Sequence, residues 1–221
     1  MTSKRVGIVV FPGSNCEHDV AQVLNNSGIE TEFIWHGRSD LGEISGVILP
    51  GGFAHGDYLR PGAIARFSPV MSSVIDFAGQ GKPVLGICNG FQILTEAGLL
   101  PGALQKNARL KFLCQEVELE VANTTSCATS LAHKGEKLRL PINHFEGNYT
   151  CDLKTLESLE ANNQVVLRYL ENPNGSMNSI AGICSKEGNV VGMMPHPERA
   201  CDDLLGSIDG LQILKSYASN L

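Results

Sequence analysis

The chain lacks the features that mark several large classes of protein. No apolar run approaches the ~18 residues that a membrane-spanning helix needs. The apolar stretch at residues 6–11 is cut short by Pro12-Gly13, and no small-residue cleavage site follows. It is therefore expected to be a first strand rather than a targeting signal. Basic residues form no long cluster and the formal net charge is −6, which removes the electrostatic basis for binding nucleic acid. No G-x-x-x-x-G-K-[ST] phosphate loop is present, and Gly79-Gln80-Gly81-Lys82 does not make one. The seven cysteines are odd in number and none stands in a C-x-x-C pair. That argues for free thiols in a reducing, cytoplasmic compartment, and neither cysteines nor histidines show metal-ligand spacing. No linker, repeat or low-complexity tract divides the 221 residues. Residues 1–221 are expected to form one domain, long enough to bury about 70% of its unfolded surface.

What is present is an alternation of strand and helix signals. Residues 5–11 form a β-rich apolar run, followed by Ser14-Asn15-Cys16-Glu17, which reads as a capping box, and by Val20, Val23 and Leu24 at helical spacing. Strands are expected at residues 30–35 and 46–49, the latter running into Pro50-Gly51-Gly52-Phe53. A polar, glycine-rich stretch at residues 54–62 carries His55, Asp57, Tyr58 and Arg60. Apolar residues near a 3.6 period predict a helix over residues 63–78, feeding a strand at 84–87 and a helix at 91–97 closed by Gly98. Beyond Pro101-Gly102 the pattern changes. Residues 112–121 alternate apolar and polar, as a half-exposed antiparallel strand does. Further strands are expected at 137–142, 165–170, 180–184 and 190–194, the last two joined by a hairpin turn at Lys186-Glu187-Gly188-Asn189. A final helix is expected at 203–217, although Gly206 and Gly210 weaken it by ~1 kcal/mol each. The fold class is α/β: a single-domain open mixed, mostly parallel sheet with helices on both faces.

One stretch concentrates the chemistry. In Gly86-x-Cys88-x-Gly90 a thiol sits between strand and helix, with glycines two residues to either side, as in a nucleophile elbow. A buried cysteine is usually inert, and a free thiol at neutral pH is only a few per cent thiolate, so Cys88 needs a base. His196, in Met194-Pro195-His196-Pro197-Glu198-Arg199, follows the last strand. Pro197 pushes it into an extended conformation, where residues two apart project to the same side, so Glu198 can orient the imidazole. An isolated His-Pro-Glu would more often be a surface turn, but beside the elbow each feature answers a need of the other. The N–H groups of Asn89 and Gly52 are the expected oxyanion donors, each typically worth about 3 kcal/mol in the barrier. His18 and His36 are expected on a helix face and at a strand end.

Gly86-Ile87-Cys88-Asn89-Gly90-Phe91-Gln92, Pro50-Gly51-Gly52-Phe53 and His196-Pro197-Glu198 together resemble the triad-type (class I) glutamine amidotransferase domain, which is flavodoxin-like. Three further motifs resemble the glutaminase subunits of phosphoribosylformylglycinamidine synthases: Phe11-Pro12-Gly13-Ser14-Asn15-Cys16, Gly56-Asp57-Tyr58-Leu59-Arg60-Pro61-Gly62-Ala63-Ile64-Ala65 and Glu171-Asn172-Pro173-Asn174-Gly175-Ser176. The likeness runs from about residue 5 to about residue 217. One departure is Asn143-His144-Phe145-Glu146-Gly147, where the family more often has His-Gly-Glu-Gly. The resemblance implies hydrolysis of L-glutamine through a Cys88 thioester, with His196 as base, Glu198 orienting it, and Gln92 and Gly52 holding the substrate. It further implies no cofactor in this chain. Ammonia would pass to an ATP- and Mg-using synthetase subunit, in a complex with a small third subunit, for a step of purine biosynthesis. His55, Asp57, Tyr58 and Arg60 are candidates for the partner surface or for gating. A Cys-elbow hydrolase of the chaperone-protease or glyoxalase kind fits less well, since there a histidine follows the cysteine and an acid comes from the first strand. A catalytically silent subunit would lack a triad member, and all three are present.

Overall fold

The computed structural model describes residues 4–221. One sheet of nine strands runs in the order β2-β1-β3-β4-β11-β10-β9-β6-β7. Strands β1 (Arg5–Val10), β2 (Glu30–Trp35), β3 (Gly46–Leu49) and β4 (Val84–Ile87) pair in parallel, and β11 (Val190–Met193) joins β4 in the same sense. From β11 outward the sheet turns antiparallel, through β10 (Ile180–Cys184), β9 (Val165–Tyr169), β6 (Leu113–Val121) and β7 (Lys137–His144). The sheet is thus mixed, as the change of pattern after Pro101-Gly102 implies. Strands β3, β4 and β11 are buried along their whole length, which is why they read as unbroken apolar runs, whereas β6 alternates over its second half. A second, two-stranded piece joins β5 (Ala103–Gln105) to β8 (Asn148–Thr150).

Among the described residues five α-helices accompany the sheet: α1 (Glu17–Asn26), α2 (Pro69–Gly79), α3 (Asn89–Glu96), α4 (Leu153–Ala161) and α5 (Gly210–Ser219). Three expectations need correction. The helix predicted over residues 63–78 is split, because Pro69 holds Ser68 in an extended conformation (φ −63, ψ 141); a short 3₁₀ turn at Ala65–Phe67 precedes α2. The helix predicted at 203–217 begins only at Gly210. Gly206 is left-handed (φ 93), and Leu204 is 94% exposed, so it gives a helix there little to pack on. The capping box does not form: Cys16 is the N-cap of α1 without a side-chain bond, while Ser14 Oγ accepts from the Phe11 N–H at 3.0 Å. No helix among the described residues is long and apolar enough to cross a membrane.

The parallel strands order the loops that matter. The chain leaves β1 at Phe11, β3 at Pro50, β4 at Cys88 and β11 at Met194, so four loops gather at one carboxyl edge. The strand order reverses at β1, the kind of switch point where open α/β sheets bind ligands.

Candidate active site

Cys88 stands where β4 gives way to α3, with φ 51 and ψ −104. For a residue with a Cβ this backbone costs roughly 1–3 kcal/mol, and it persists only where the surroundings hold it. The flanking glycines are what allow it. A Cβ on Gly86 would lie 2.7 Å from the Gly90 backbone, and one on Gly90 would lie 2.0 Å from Leu49 O. Strand β4, helix α3 and the end of β3 therefore touch backbone to backbone at the elbow. The Cys88 N–H donates to Met193 O at 2.7 Å, which fixes the turn to β11 as well. Cys88 is 5% exposed, and its Sγ lies 3.7 Å from Asn143 O, near the end of β7.

His196 is 2% exposed, and its N–H donates to Pro141 O at 2.9 Å. It is extended as Pro197 requires (φ −102, ψ 89), although Pro197–Arg199 then closes into a 3₁₀ turn. Its Nδ1 lies 2.6 Å from Glu198 Oε1, so the predicted pair is in contact. Burial by itself would depress the imidazole pKa. The Glu198 carboxylate and the neighbouring Cys88 thiol outweigh burial, and the pKa stands well above its ordinary value.

The two expected oxyanion donors occupy suitable backbone. Gly52 lies opposite Ser14 in an isolated bridge whose bonds are made by its neighbours: Phe53 N–H to Gly13 O at 2.8 Å and Asn15 N–H to Gly51 O at 3.1 Å. The Gly52 N–H takes no part in them. Its φ of 150, with a Cβ position only 2.7 Å from Gly13 O, admits glycine alone. Asn89 opens α3, where N–H groups have no intrahelical partner. The loops are tied together by the Asn89 side chain, whose Oδ1 accepts from the Ala54 N–H at 3.0 Å. Its Nδ2 donates to Gln92 Oε1 at 2.8 Å and to Asp57 Oδ1 at 3.3 Å. Gln92 Nε2 donates to Glu146 O at 2.6 Å, so a substrate contact by Gln92 would use its second N–H or its remaining lone pair.

Sequence reasoning gave several members of this cluster other roles or none: Asp57 was a candidate for the partner surface or gating, and His144 and Cys16 were only parts of motifs. Asp57, at φ 53, faces both Asn89 and Glu146. Burial and the Glu146 charge push its pKa up to about 6. His144 is held by Asn107, whose Oδ1 meets His144 Nδ1 and accepts from the Gly147 N–H, both at 3.1 Å. Burial and nearby His196 lower the His144 pKa to about 4, which leaves it neutral. Phe145 is not among the residues driven to positive φ, so this loop does not need a glycine there. Cys16 Sγ lies 3.9 Å from His196 Nδ1 and accepts from Arg199 Nη2 at 3.2 Å. Possible ligand atoms of Cys16, His196 and Glu198 lie within 4.8 Å of one another. The His196 Nδ1–Glu198 Oε1 bond and the Arg199 N–H on Cys16 Sγ tie these groups to one another, while His196 Nε2 and Glu198 Oε2 are buried without a hydrogen-bond partner.

Of the other singled-out residues, His55 is also left-handed and reaches Ser68 Oγ at 3.4 Å, with His36 on the same hydroxyl at 3.0 Å. Arg60 forms two bonds to Glu96, at 2.6 and 2.7 Å, and Tyr58 is exposed. His18 lies in α1 edge-on to Phe33, and His36 directly follows β2.

The sequence matches the CobB/CobQ-like glutamine amidotransferase domain family over residues 3–210. It is 53% identical, over all of this chain and 92% of the relative, to the phosphoribosylformylglycinamidine synthase subunit PurQ of Chlorobaculum parvum. Among solved structures, PurLQS from Thermotoga maritima contains a chain that superposes with a TM-score of 0.90 at 42% identity, covering 99% of both chains. A glutamine amidotransferase from Thermotoga maritima shares the fold, with a TM-score of 0.60 at 16% identity over 99% of this chain and 92% of that one.

Proposed function

The chain belongs to the CobB/CobQ-like glutamine amidotransferase domain family, and we propose that it is the glutaminase subunit of phosphoribosylformylglycinamidine synthase. It hydrolyses glutamine to glutamate and ammonia. A synthetase subunit uses that ammonia with ATP to convert formylglycinamide ribonucleotide to formylglycinamidine ribonucleotide in purine biosynthesis. Its partners are that synthetase and a small third subunit, the assembly named in the PurLQS relative. Residues 1–221 act as one domain, a reading supported by a nine-stranded sheet that draws strands from both halves of the chain. We place the protein in the cytoplasm, where its seven free cysteines would stay reduced.

The carrying observation is the strained Cys88 beside the buried His196–Glu198 pair. The Cys88 thiolate attacks the carboxamide carbon of glutamine, a C–S bond forms, and the carbonyl electron pair moves onto oxygen. The Gly52 and Asn89 N–H groups hold that oxyanion. Collapse breaks the C–N bond, and the leaving nitrogen takes a proton from His196 and departs as ammonia. His196 then accepts a proton from water as its oxygen attacks the thioester. Collapse of this second intermediate releases glutamate and restores the thiolate. Glu198 keeps the imidazole in one tautomer throughout.

In the assembled complex, Cys88→Ala is expected to abolish glutamine-dependent synthesis and to leave ammonia-dependent synthesis intact. Undiminished glutamine use by that variant would overturn the reading.

A further inference from the structure

Glu198 is not alone at the imidazole. Cys16, the N-cap of α1, is 3% exposed, and its sulfur approaches the same Nδ1 that Glu198 holds, 3.9 Å away. It is fixed there from three sides. Its N–H and that of Asn15 both donate to Gly51 O at 3.1 Å. Gly51 itself leaves no room for a side chain: a Cβ would lie 2.6 Å from His196 Cε1 and 3.0 Å from Cys16 Sγ, so thiol and imidazole pack together against bare backbone. The third restraint is Arg199, which donates to Sγ from Nη2 and is itself anchored, Nε to Asp19 Oδ2 at 3.3 Å, on α1. A buried sulfur receiving a guanidinium N–H beside an imidazole lies in a field that favours electron density on sulfur, and such density favours positive charge on the ring.

Building on the glutaminase reading, we propose that Cys16, clamped by Arg199, is a positioning residue for His196: a second group at Nδ1 that holds the imidazole and supports its charged form. Cys16 does not touch glutamine. It acts through His196, and Arg199 acts through Cys16. The pKa of His196 moves in the same sense, since the Cys16 contact raises it. The arrangement also links the base to α1, so a displacement of that helix reaches the imidazole without passing through Cys88.

The test uses the assembled complex and Cys16→Ala, Cys16→Ser, Arg199→Gln and Cys16→Ala/Arg199→Gln. Cys16→Ala is expected to lower kcat for glutamine about tenfold with KM for glutamine within twofold, and to leave ammonia-dependent synthesis alone. In labelled-histidine NMR of the isolated chain, the His196 titration midpoint is expected to fall by about half to one pH unit, since one unit corresponds to tenfold. The serine variant, whose hydroxyl still accepts from Arg199, restores most of both. Arg199→Gln shifts the midpoint in the same direction on the intact thiol and adds nothing in the Cys16→Ala background. An unmoved midpoint in folded Cys16→Ala, or additive effects of the two substitutions, overturns the proposal. If Cys16→Ala does not fold, Arg199→Gln alone decides, and an unmoved midpoint there overturns it equally. Cys88→Ala run alongside separates the failures: if it blocks glutamine use while the midpoint stays put, only the role of Cys16 is lost.

Discussion

Gly90→Ala tests whether the elbow is held by backbone contact. A methyl group there would sit 2.0 Å from Leu49 O, 2.7 Å from Leu49 C and 2.9 Å from Leu49 Cβ, against the 3.4–4 Å of ordinary contact. Something must therefore move by more than 1 Å, and the obstruction is strand backbone rather than the end of a flexible side chain. Strand β3 cannot retreat easily, being buried and paired with β1 and β4. The helix must give instead, carrying Cys88 away from Gly52. Overpacking of this kind typically costs 1–3 kcal/mol, and the better helix propensity of alanine offsets at most about 1 kcal/mol. A net loss of about 1–2 kcal/mol lowers the melting temperature of a chain this size by roughly 2–8 °C. Activity is hit harder, since misplacing reacting groups by about 1 Å costs on the order of 100-fold. Thermal melts and glutamine-dependent synthesis in the complex measure both effects. Gly79→Ala is the control: at the end of α2 its Cβ meets nothing within 4 Å, so the same substitution is expected to stabilise by about 0.5–1 kcal/mol. If Gly90→Ala kept full activity and an unchanged melting temperature, the account of the elbow as a three-way backbone contact would be refuted.

Three other expectations follow from the site. Cys88→Gly is expected to melt higher than Cys88→Ala, by an amount corresponding to about 1 kcal/mol, because glycine relieves the left-handed backbone that alanine retains; equal melting would mean the elbow is unstrained. Asp57→Asn is expected to stabilise at pH 7.5 and not at pH 4. The folded state holds the Asp57 proton up to about 6, while the unfolded chain loses it near 3.8, so aspartate costs stability as pH rises through that window and asparagine does not. Partial exposure trims the effect to about 1 kcal/mol, read as a pH-dependent difference in melting temperature, and a gap that does not close in acid counts against burial as its cause. Finally, with Cys88 5% exposed beneath Asn143, a glutamine-like electrophile is expected to label Cys88 slowly in the isolated chain and at least tenfold faster with partner subunits. Equal rates would show that the site is open without them.

How much of this was legible in the sequence depended on whether the constraint was local. Strands β3 and β4 coincide with their apolar runs because little but strand formation accounts for short apolar stretches next to glycine or proline, and β2, with only Ile34 buried, also lies where a strand is expected. Cys88 was readable from the glycines beside it, and His196 and Glu198 from the prolines around them. Helix α4 was missed because it buries only Leu159 and leaves Leu153 exposed. Its one usable signal was Asp152, whose carboxylate accepts from the Thr155 N–H at 2.7 Å. Ser14 misled because the bridge to Gly52 settles its backbone before α1 can use its hydroxyl. Cys16 and Asp57 stood in motifs that marked them, but nothing local tied Cys16 to His196 or Asp57 to Asn89. Cys16 lies 180 residues from His196 in sequence, and only the folded sheet edge brings the two together.

The local signals were so strong at the elbow because the same contacts serve stability and chemistry. Gly86, Gly90 and Leu49 allow α3 to lie against the sheet, and that close approach lets the buried strands β3 and β4 hold Cys88 in a conformation it would not adopt alone. The strain does not stop there. Gly52, His55, Asp57 and Leu59 in the facing loop also have positive φ, and that loop is tied to the elbow through Asn89. A substitution that relaxed one loop would therefore release its hold on the other. Stabilising changes in this layer are expected to erode glutamine use before they erode folding, whereas changes at the antiparallel end of the sheet, between β6 and β7, should alter stability alone.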